Sequence, residues 1–119
     1  MASVDLTSAI EQMEMLEEKL GITFGGLSAF LDHDEEDEWD ATLTITGEVI
    51  SVSGGPLDND IEIKIAAYDS QGRVVAKASE YIDDESFAGF DVFDVSLETP
   101  VPDIVKIRIF PVNLSLIHI

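Results

Sequence analysis

The stretch that most constrains the fold of this chain runs over residues 61–78, where apolar and polar side chains alternate on both sides of a turn signal. Successive side chains of an extended strand point to opposite faces, so this alternation predicts one buried and one solvent-facing side. The buried side would carry Ile61, Ile63, Ile65 and Ala67, and the other side Glu62, Lys64 and Tyr68. Gly72 can adopt the positive φ that a tight turn after Asp69 and Ser70 requires. The sequence therefore predicts a β-hairpin of a small antiparallel domain.

Similar signals divide the rest of the chain beyond residue 40 into short strands, separated by turns rich in glycine, proline and aspartate. The predicted strands are residues 41–52 with Gly47 at a bulge, 60–68, 73–79, 87–97 and 104–110. Five or six short strands at this spacing favour two packed antiparallel sheets. The predicted fold class is therefore mainly β, an antiparallel immunoglobulin-like β-sandwich.

Two of these strands allow side-chain predictions. In residues 104–110, the inward side chains would be Val105, Ile107 and Ile109, and the outward ones Lys106 and Arg108. In residues 87–97 the apolar phase shifts, so Phe90 and Val92 can share a face with Phe93 only if a bulge intervenes. The phenylalanines are nevertheless predicted to lie in the core: Phe87, Phe90, Phe93 and Phe110.

A helix is predicted to precede the sandwich, over residues 5–20 within an N-terminal segment 1–21. Its apolar residues recur at helical spacing and would line one face: Leu6, Ile10, Met13, Leu16 and Leu20. Ser8 and Glu11 have the spacing of a capping box, and Gly21 is a natural terminator. The amphipathic helix would pack its apolar face on the β domain; the alternative is a coiled-coil or partner-binding arm.

Residues 22–31 allow two interpretations, a strand broken at Gly25 and Gly26 or a loop leading into a helical turn. A first strand is favoured. Residues 32–40 carry so many charges that they predict a solvated acidic loop within a β-sandwich domain of residues 22–113.

The charge of the chain is extreme, with 25 acidic and 6 basic residues and a formal net charge of −19. Binding to phosphate depends on lysine and arginine, so the composition disfavours nucleic acid and anionic membranes as partners. Dense surface carboxylates with scarce lysine are typical of proteins from saline environments. The competing interpretation is an acidic docking surface for a basic partner or a divalent cation.

The composition also limits the number of domains, the chemistry and the location that the chain can have. Its 119 residues are 45% hydrophobic and suit one domain with one core. The absence of cysteine excludes disulfides, thiol catalysis and thiolate metal sites. No apolar run approaches bilayer length, and the N-terminus lacks the basic and apolar regions of an export signal, so the expected location is the cytoplasm.

The acidic loop contains a partial calcium-binding pattern. Asp32, Asp34 and Glu36 have the alternate spacing that opens an EF-hand loop. The match then stops, because Asp37 stands where glycine is required and Leu43 where the bidentate glutamate belongs. A noncanonical Ca²⁺ site, shared with Asp58, Asp60 or residues 83–85, is the alternative to a solvated loop.

Enzymatic signals are weak. His33 is the one histidine before residue 114, and a histidine among carboxylates is more often a solvated loop residue than a general base. The sequence holds no Gly-rich phosphate cradle, nucleophile elbow or HExxH motif. Trp39 beside the acidic loop is either structural or a surface hot spot. The prediction is not an enzyme but a noncatalytic interaction or accessory module with an unknown protein partner; the alternatives are a Ca²⁺-binding module and a fragment of a larger enzyme.

A family resemblance runs through the second half of the chain. Its motifs, in order, are Gly47-Glu48-Val49, Tyr68-Asp69, Gly72 followed by Val74-Val75, an aromatic strand from Phe90 to Phe93, and Lys106-Ile107-Arg108-Ile109. This order resembles the FxLYD-type family of small immunoglobulin-like or fibronectin-like β-sandwich modules, here in a salt-adapted prokaryote. The resemblance implies an accessory or interaction domain without a catalytic site.

The last six residues, 114–119, read Leu-Ser-Leu-Ile-His-Ile. Such a peptide is encoded by a DNA string that resembles the transposase adapter of shotgun sequencing libraries. We therefore expect residues 114–119 to be a non-native tail; the alternative is a genuine last strand, because the segment is apolar and alternates acceptably.

Overall fold

Alternating buried and exposed positions organise this chain into strands along most of its length. A computed structural model describes residues 2–33, 41–55, 60–83, 87, 89–99 and 103–113. The strands are β1 (Ala2–Asp5), β2 (Ile10–Gln12), β3 (Ile22–His33), β4 (Ala41–Ser51), β5 (Ile61–Tyr68), β6 (Val74–Ile82), β7 (Phe90–Thr99) and β8 (Lys106–Asn113). A 3₁₀ turn spans Thr7–Ala9, and a short helix, α1, spans Glu14–Leu20.

The strands form two four-stranded sheets that share one core. The first sheet has the order β1-β3-β4-β7 and the second the order β2-β8-β5-β6. Every neighbouring pair is antiparallel except β2 and β8, which are parallel. The most deeply buried side chains come from both sheets: Ile22, Leu31, Leu43, Ile45 and Val49 from the first, and Ile63, Ile65, Ile107 and Ile109 from the second. The prediction of a mainly β fold with two sheets is confirmed, and its immunoglobulin-like topology stays a prediction.

The predicted hairpin is confirmed as β5 and β6. Along β5, buried and partly exposed residues alternate without interruption from Ile61 to Tyr68. Gly72 has a φ of +78° in the turn. The pairing shifts between Ala67 and Tyr68, which places an extra residue in β6 after Val74. Local alternation and turn chemistry are sufficient to predict this hairpin because its two strands are adjacent in sequence.

The predicted helix over residues 5–20 is wrong in its first part. Residues 2–5 pair antiparallel with β3, and residues 10–12 pair in parallel with β8. Leu6 continues the first contact, since its backbone N–H donates to the Ala29 carbonyl over 2.8 Å. Edge positions on both sheets offer ladder hydrogen bonds and an apolar surface, which outweigh a modest helix propensity. The N-terminal segment thus contributes a strand to each sheet before α1.

The end of the helix was predicted correctly. Gly21 follows α1 in the left-handed conformation, with a φ of +67°, and its N–H donates to helix carbonyls. The predicted capping box does not form, because the helix begins after Met13, without a side-chain cap. No helix among the described residues is long and apolar enough to cross a membrane.

The strand favoured for residues 22–31 is confirmed as β3, and its glycines mark a bulge. The β3–β4 register shifts between Gly25 and Ser28, so two residues of β3 lie opposite Gly47. The predicted bulge therefore belongs to β3 and not to the strand that contains Gly47. A Cβ atom on Gly47 would lie 2.5 Å from Leu27 Cδ2 and 3.0 Å from Phe93 Cζ, so glycine makes room for both side chains.

Three predictions about buried side chains are wrong, those for Phe90, Val105 and Phe110. Phe90 is 59% exposed, because β7 pairs with β4 in a continuous register and Phe90 falls on the outer face with Val92. Val105 is 54% exposed, because β8 begins only at Lys106. Phe87 and Phe93 are buried as predicted. Phe110 is half-buried on the outer face of the second sheet, opposite Lys64.

Candidate binding surface

The residues predicted to hold Ca²⁺ are only partly covered by the structure. Asp32 lies in β3, between Ser3 of β1 and Thr42 of β4. Asp34 and Glu36 lie outside the described residues, as do Trp39 and the side chain of His33. Over the ranges that the structure describes, no group of three or more His, Cys, Asp or Glu side chains could hold a metal ion. The Ca²⁺ site stays a prediction.

Charged side chains separate by sheet. The outward positions of the first sheet carry acidic residues, namely Asp5, Asp32, Glu48, Asp94 and Glu98. The described strands of this sheet contain no lysine or arginine. Its outer face is therefore acidic, as expected from the composition.

The outer face of the second sheet has the opposite character. Four basic residues point outward from it, Lys64, Lys77, Lys106 and Arg108, together with two acidic ones, Glu11 and Glu62. The whole chain has only 6 lysines and arginines. Four bases against two acids leave this surface with a net positive charge in a chain of −19. We call the outward residues of β2, β8, β5 and β6 the basic face.

Strand register places a small side chain at the centre of the basic face. Ala66 of β5 lies opposite Arg108 of β8 on one side and Lys77 of β6 on the other. Along its own strand, the outward neighbours of Ala66 are Lys64 and Tyr68. Four long side chains therefore surround a methyl group, which leaves a depression in the face.

A groove of about 460 Å³ occupies this depression. Its outward side chains combine cations, apolar groups and a hydroxyl: Lys64, Ala66, Val74, Lys77, Ser79 and Phe110. A second cleft, of about 270 Å³, lies beside Tyr68 and Arg108 at the hairpin end of the face. The surface thus offers both apolar contact and positive charge to a ligand.

The cations of the basic face differ in how far they are neutralised. Lys64 Nζ lies 3.3 Å from Glu62 Oε1. Glu11 forms ion pairs with two cations. Its Oε2 lies 3.8 Å from Lys106 Nζ, and its Oε1 lies 3.5 Å from Arg108 Nε. Lys77 forms no ion pair with any residue of the described segments. Exposed pairs of this kind are weak, so a ligand carboxylate can compete for these cations.

Arg108 is held in place by Tyr68. Its guanidinium carbon lies 5.1 Å from the centre of the Tyr68 ring, and Nη1 donates to the Tyr68 hydroxyl over 3.5 Å. This hydrogen bond, followed by electrostatic attraction to Tyr68 and to the Glu11 carboxylate, raises the pKa of Arg108 above its usual value. Arg108 is therefore a permanently charged and well-positioned member of the face.

A buried carboxylate, Glu17 of α1, lies away from the basic face. Glu17 is 3% exposed, and its Oε1 accepts a hydrogen bond from the Phe24 backbone N–H over 3.1 Å. The same oxygen accepts from Gln12 Nε2 at 3.3 Å and Thr23 Oγ1 at 3.4 Å. These contacts join α1 to β2 and β3, so the role of Glu17 is structural.

Sequence reasoning did not find the basic face, although one signal was present. Alternation within each strand predicts that Lys64, Lys106 and Arg108 point outward, but it does not indicate which strands are neighbours. The face exists because β5 lies between β6 and β8, and β8 follows β6 only after the chain has crossed to the first sheet and back. Only the sheet order brings these cations together.

Comparison with known proteins supports the fold alone. No protein-family model matches the chain, and no curated protein matches it. A glycosyl hydrolase family 2 member from Bacteroides cellulosilyticus is similar in structure, with a TM-score of 0.58 and 8% identity over 78% of this chain and 14% of that chain. Another, from Bacteroides cellulosilyticus DSM 14838, has a TM-score of 0.53 and 8% identity over 74% of this chain and 14% of that one. A DUF1425 family member from Shewanella sp. pv-4 has a TM-score of 0.40 and 19% identity over 75% of this chain and 82% of its own.

The chain spans 14% of the length of the two hydrolases. At 8% identity, the likeness concerns the β-sandwich fold and does not extend to the activity of those proteins.

Proposed function

We propose that this chain is a noncatalytic accessory domain that binds a protein partner through the basic face. The observation that carries the proposal is the charge separation between the two sheets. In a chain with 25 acidic residues, four of the 6 basic ones lie on one outer face, around a groove with apolar walls. Aromatic residues and arginine are enriched at protein interfaces, and this face carries Tyr68, Phe110 and Arg108.

The architecture is consistent with an accessory role. A similar fold occurs as 14% of larger chains, the two glycosyl hydrolase family 2 members. An immunoglobulin-like sandwich, which the motif order of the FxLYD type also suggests, commonly serves as a scaffold for interaction surfaces. We infer that the sheets provide a rigid frame and that the outward side chains of the second sheet supply the binding groups.

The test is a selection from a random-peptide display library with the full chain as target. The face variant, Lys64→Gln with Lys77→Gln, removes two charges from the groove. The matched control, Asp94→Asn with Glu98→Gln, removes two charges from the outer face of the first sheet. We expect selected peptides to bind wild type and the control variant but not the face variant. Peptides that bind all three proteins equally would contradict the proposal.

A further inference from the structure

We infer, on the basis of the proposed function, that the partner presents an extended acidic segment with one bulky apolar side chain, which lies over Ala66. Shape, charge spacing and the ends of the face support it separately.

The shape of the groove favours one large apolar side chain. Ala66 forms the floor, and Val74 and Phe110 provide apolar surface at its sides. Val74 is 55% exposed, so this apolar surface is open to water in the free protein. Covering it with an aromatic side chain removes apolar area from water, which is the main favourable term in such contacts.

The spacing of the cations matches an extended peptide. Lys106 and Arg108 are two residues apart on β8, so their Cα atoms are about 6.8 Å apart. This distance equals the repeat of alternate side chains on an extended segment. Lys64 and Lys77 lie at diagonal positions of neighbouring strands, about 7–8 Å apart. Carboxylates at alternate positions of a peptide can therefore meet successive cations without strain.

The ends of the face limit the ligand to a short segment. Asp103 lies at the hairpin end, where Ser70 Oγ donates to Asp103 Oδ2 over 2.8 Å. Glu62 and Asp60 lie at the opposite end, where the Tyr81 hydroxyl donates to Asp60 Oδ2 over 2.7 Å. A long polyanion such as a nucleic acid would extend onto these carboxylates, whereas a short acidic peptide fits between them.

The binding experiment uses the full chain and a nine-residue probe peptide with Asp or Glu at alternate positions and Trp at its centre. Two control peptides replace Trp by Ala, or all acids by their amides, and an oligonucleotide of equal length is the third control. Calorimetry at about 0.15 M KCl, where the Debye length is about 8 Å, measures each affinity. We expect the probe to bind, each control peptide to bind at least about tenfold more weakly, and the oligonucleotide not to bind.

Variants of the protein locate the site. We expect Lys64→Gln with Lys77→Gln to weaken probe binding at least about tenfold, and Asp94→Asn with Glu98→Gln to change it less than about twofold. Ala66→Leu fills the depression and should remove the advantage of the Trp probe over its Ala control. Ala66→Ser, which keeps the depression, should retain that advantage. Thermal melts confirm that each variant folds.

Several outcomes would overturn the inference. Equal binding of the amide and acidic peptides, with loss of binding in the face variant, would show a protein-binding face without acidic preference and leave the proposed function standing. Tighter binding of the oligonucleotide would point to nucleic acid instead. Self-association in sedimentation equilibrium that the face variant abolishes would identify a second copy as the occupant. If the peptides selected by display also bind the face variant as tightly as wild type, the proposed function fails as well.

Discussion

Asp69 is the residue on which the turn between β5 and β6 depends. Its carboxylate accepts hydrogen bonds from the backbone N–H groups of Gln71 and Arg73, each over 2.9 Å, and from Arg73 Nε over 3.1 Å. The backbone hydrogen bond from Arg73 is the largest cause that lowers the pKa of Asp69, and the contacts with Gln71 and the Arg73 side chain act in the same direction against burial. The resemblance motif Tyr68-Asp69 therefore has a structural explanation here.

The lowered pKa leads to a pH-dependent prediction. A carboxyl group whose pKa is lower in the folded than in the unfolded state stabilises the fold above its unfolded pKa, and this stability is lost as the pH falls through the folded pKa. We expect Asp69→Asn to unfold at lower urea than wild type at neutral pH, with the difference shrinking as the pH falls below the usual aspartate pKa of 3.8. Asp94→Asn is the control for loss of a charge. A difference that stays constant down to about pH 2 would argue against this role.

A substitution at Gly47 tests how tightly the bulge is packed. An added methyl group would collide with Leu27 and Phe93, at 2.5 Å and 3.0 Å from their nearest atoms. Overpacking of this kind typically lowers the free energy of unfolding by about 1–3 kcal/mol, so we expect that loss for Gly47→Ala in urea denaturation. Gly55→Ala, where the nearest neighbouring atom lies 3.7 Å from the added Cβ, should have little effect. Equal stability of the two variants would contradict the packing role.

At the scale of elements, β2 is the strand that links the fold to the proposed binding. Its parallel pairing with β8 places Glu11 opposite Arg108. Glu11 is then close enough to neutralise part of the charge of both Lys106 and Arg108. A helix over residues 5–20 would not have brought Glu11 into that register.

This pairing predicts the effect of removing one charge. Glu11→Gln leaves Lys106 and Arg108 without this partner, so we expect it to strengthen binding of the acidic probe several-fold, because exposed ion pairs are worth up to about 1 kcal/mol. Glu14→Gln removes the same charge from α1, outside the face, and should leave the affinity nearly unchanged. Calorimetry with the probe peptide compares the two. An equal gain for both variants would mean that net charge, and not the position of Glu11, sets the affinity.

The elements also show how far sequence patterns reach. The β5–β6 hairpin followed from local alternation and a glycine turn, since both strands and their turn lie within 22 residues. The N-terminal strands did not, because Ala2–Asp5 and Ile10–Gln12 become strands only by pairing with distant β3 and β8. Their apolar spacing fits a helix equally well, and tertiary contacts decided between the two.

At the scale of the whole molecule, the net charge of −19 governs stability in salt. Repulsion between like charges is relieved by screening, so we expect the melting temperature to rise with KCl.

At matched ionic strength, Ca²⁺ should add no saturable shift to circular dichroism or Trp39 fluorescence. A saturable shift in both signals, lost on replacing Asp32, Asp34 and Glu36, would instead establish the predicted Ca²⁺ site.

The separation of charge between the sheets predicts an unusual salt dependence of binding. Packed sheets lie about 10 Å apart, which exceeds the Debye length of about 8 Å at 0.15 M ionic strength but not that of about 30 Å at 0.01 M. At low salt the acidic remainder of the chain repels the acidic probe, and at about 1 M salt the attraction of the basic face is itself screened. We expect the tightest binding at about 0.15 M KCl. A steady decrease in affinity from the lowest salt upward would contradict this balance.

The sequence by itself determined the class of the fold and the extreme acidity of the chain, because alternation, turn residues and charge count are local or additive properties. It also determined the β5–β6 hairpin and the end of α1 at Gly21. Only the tertiary structure decided that residues 2–5 and 10–12 are strands, that Phe90 is exposed and that four cations share one face. These features depend on which distant strands become neighbours, and strand pairing is set by the packing of the whole sandwich.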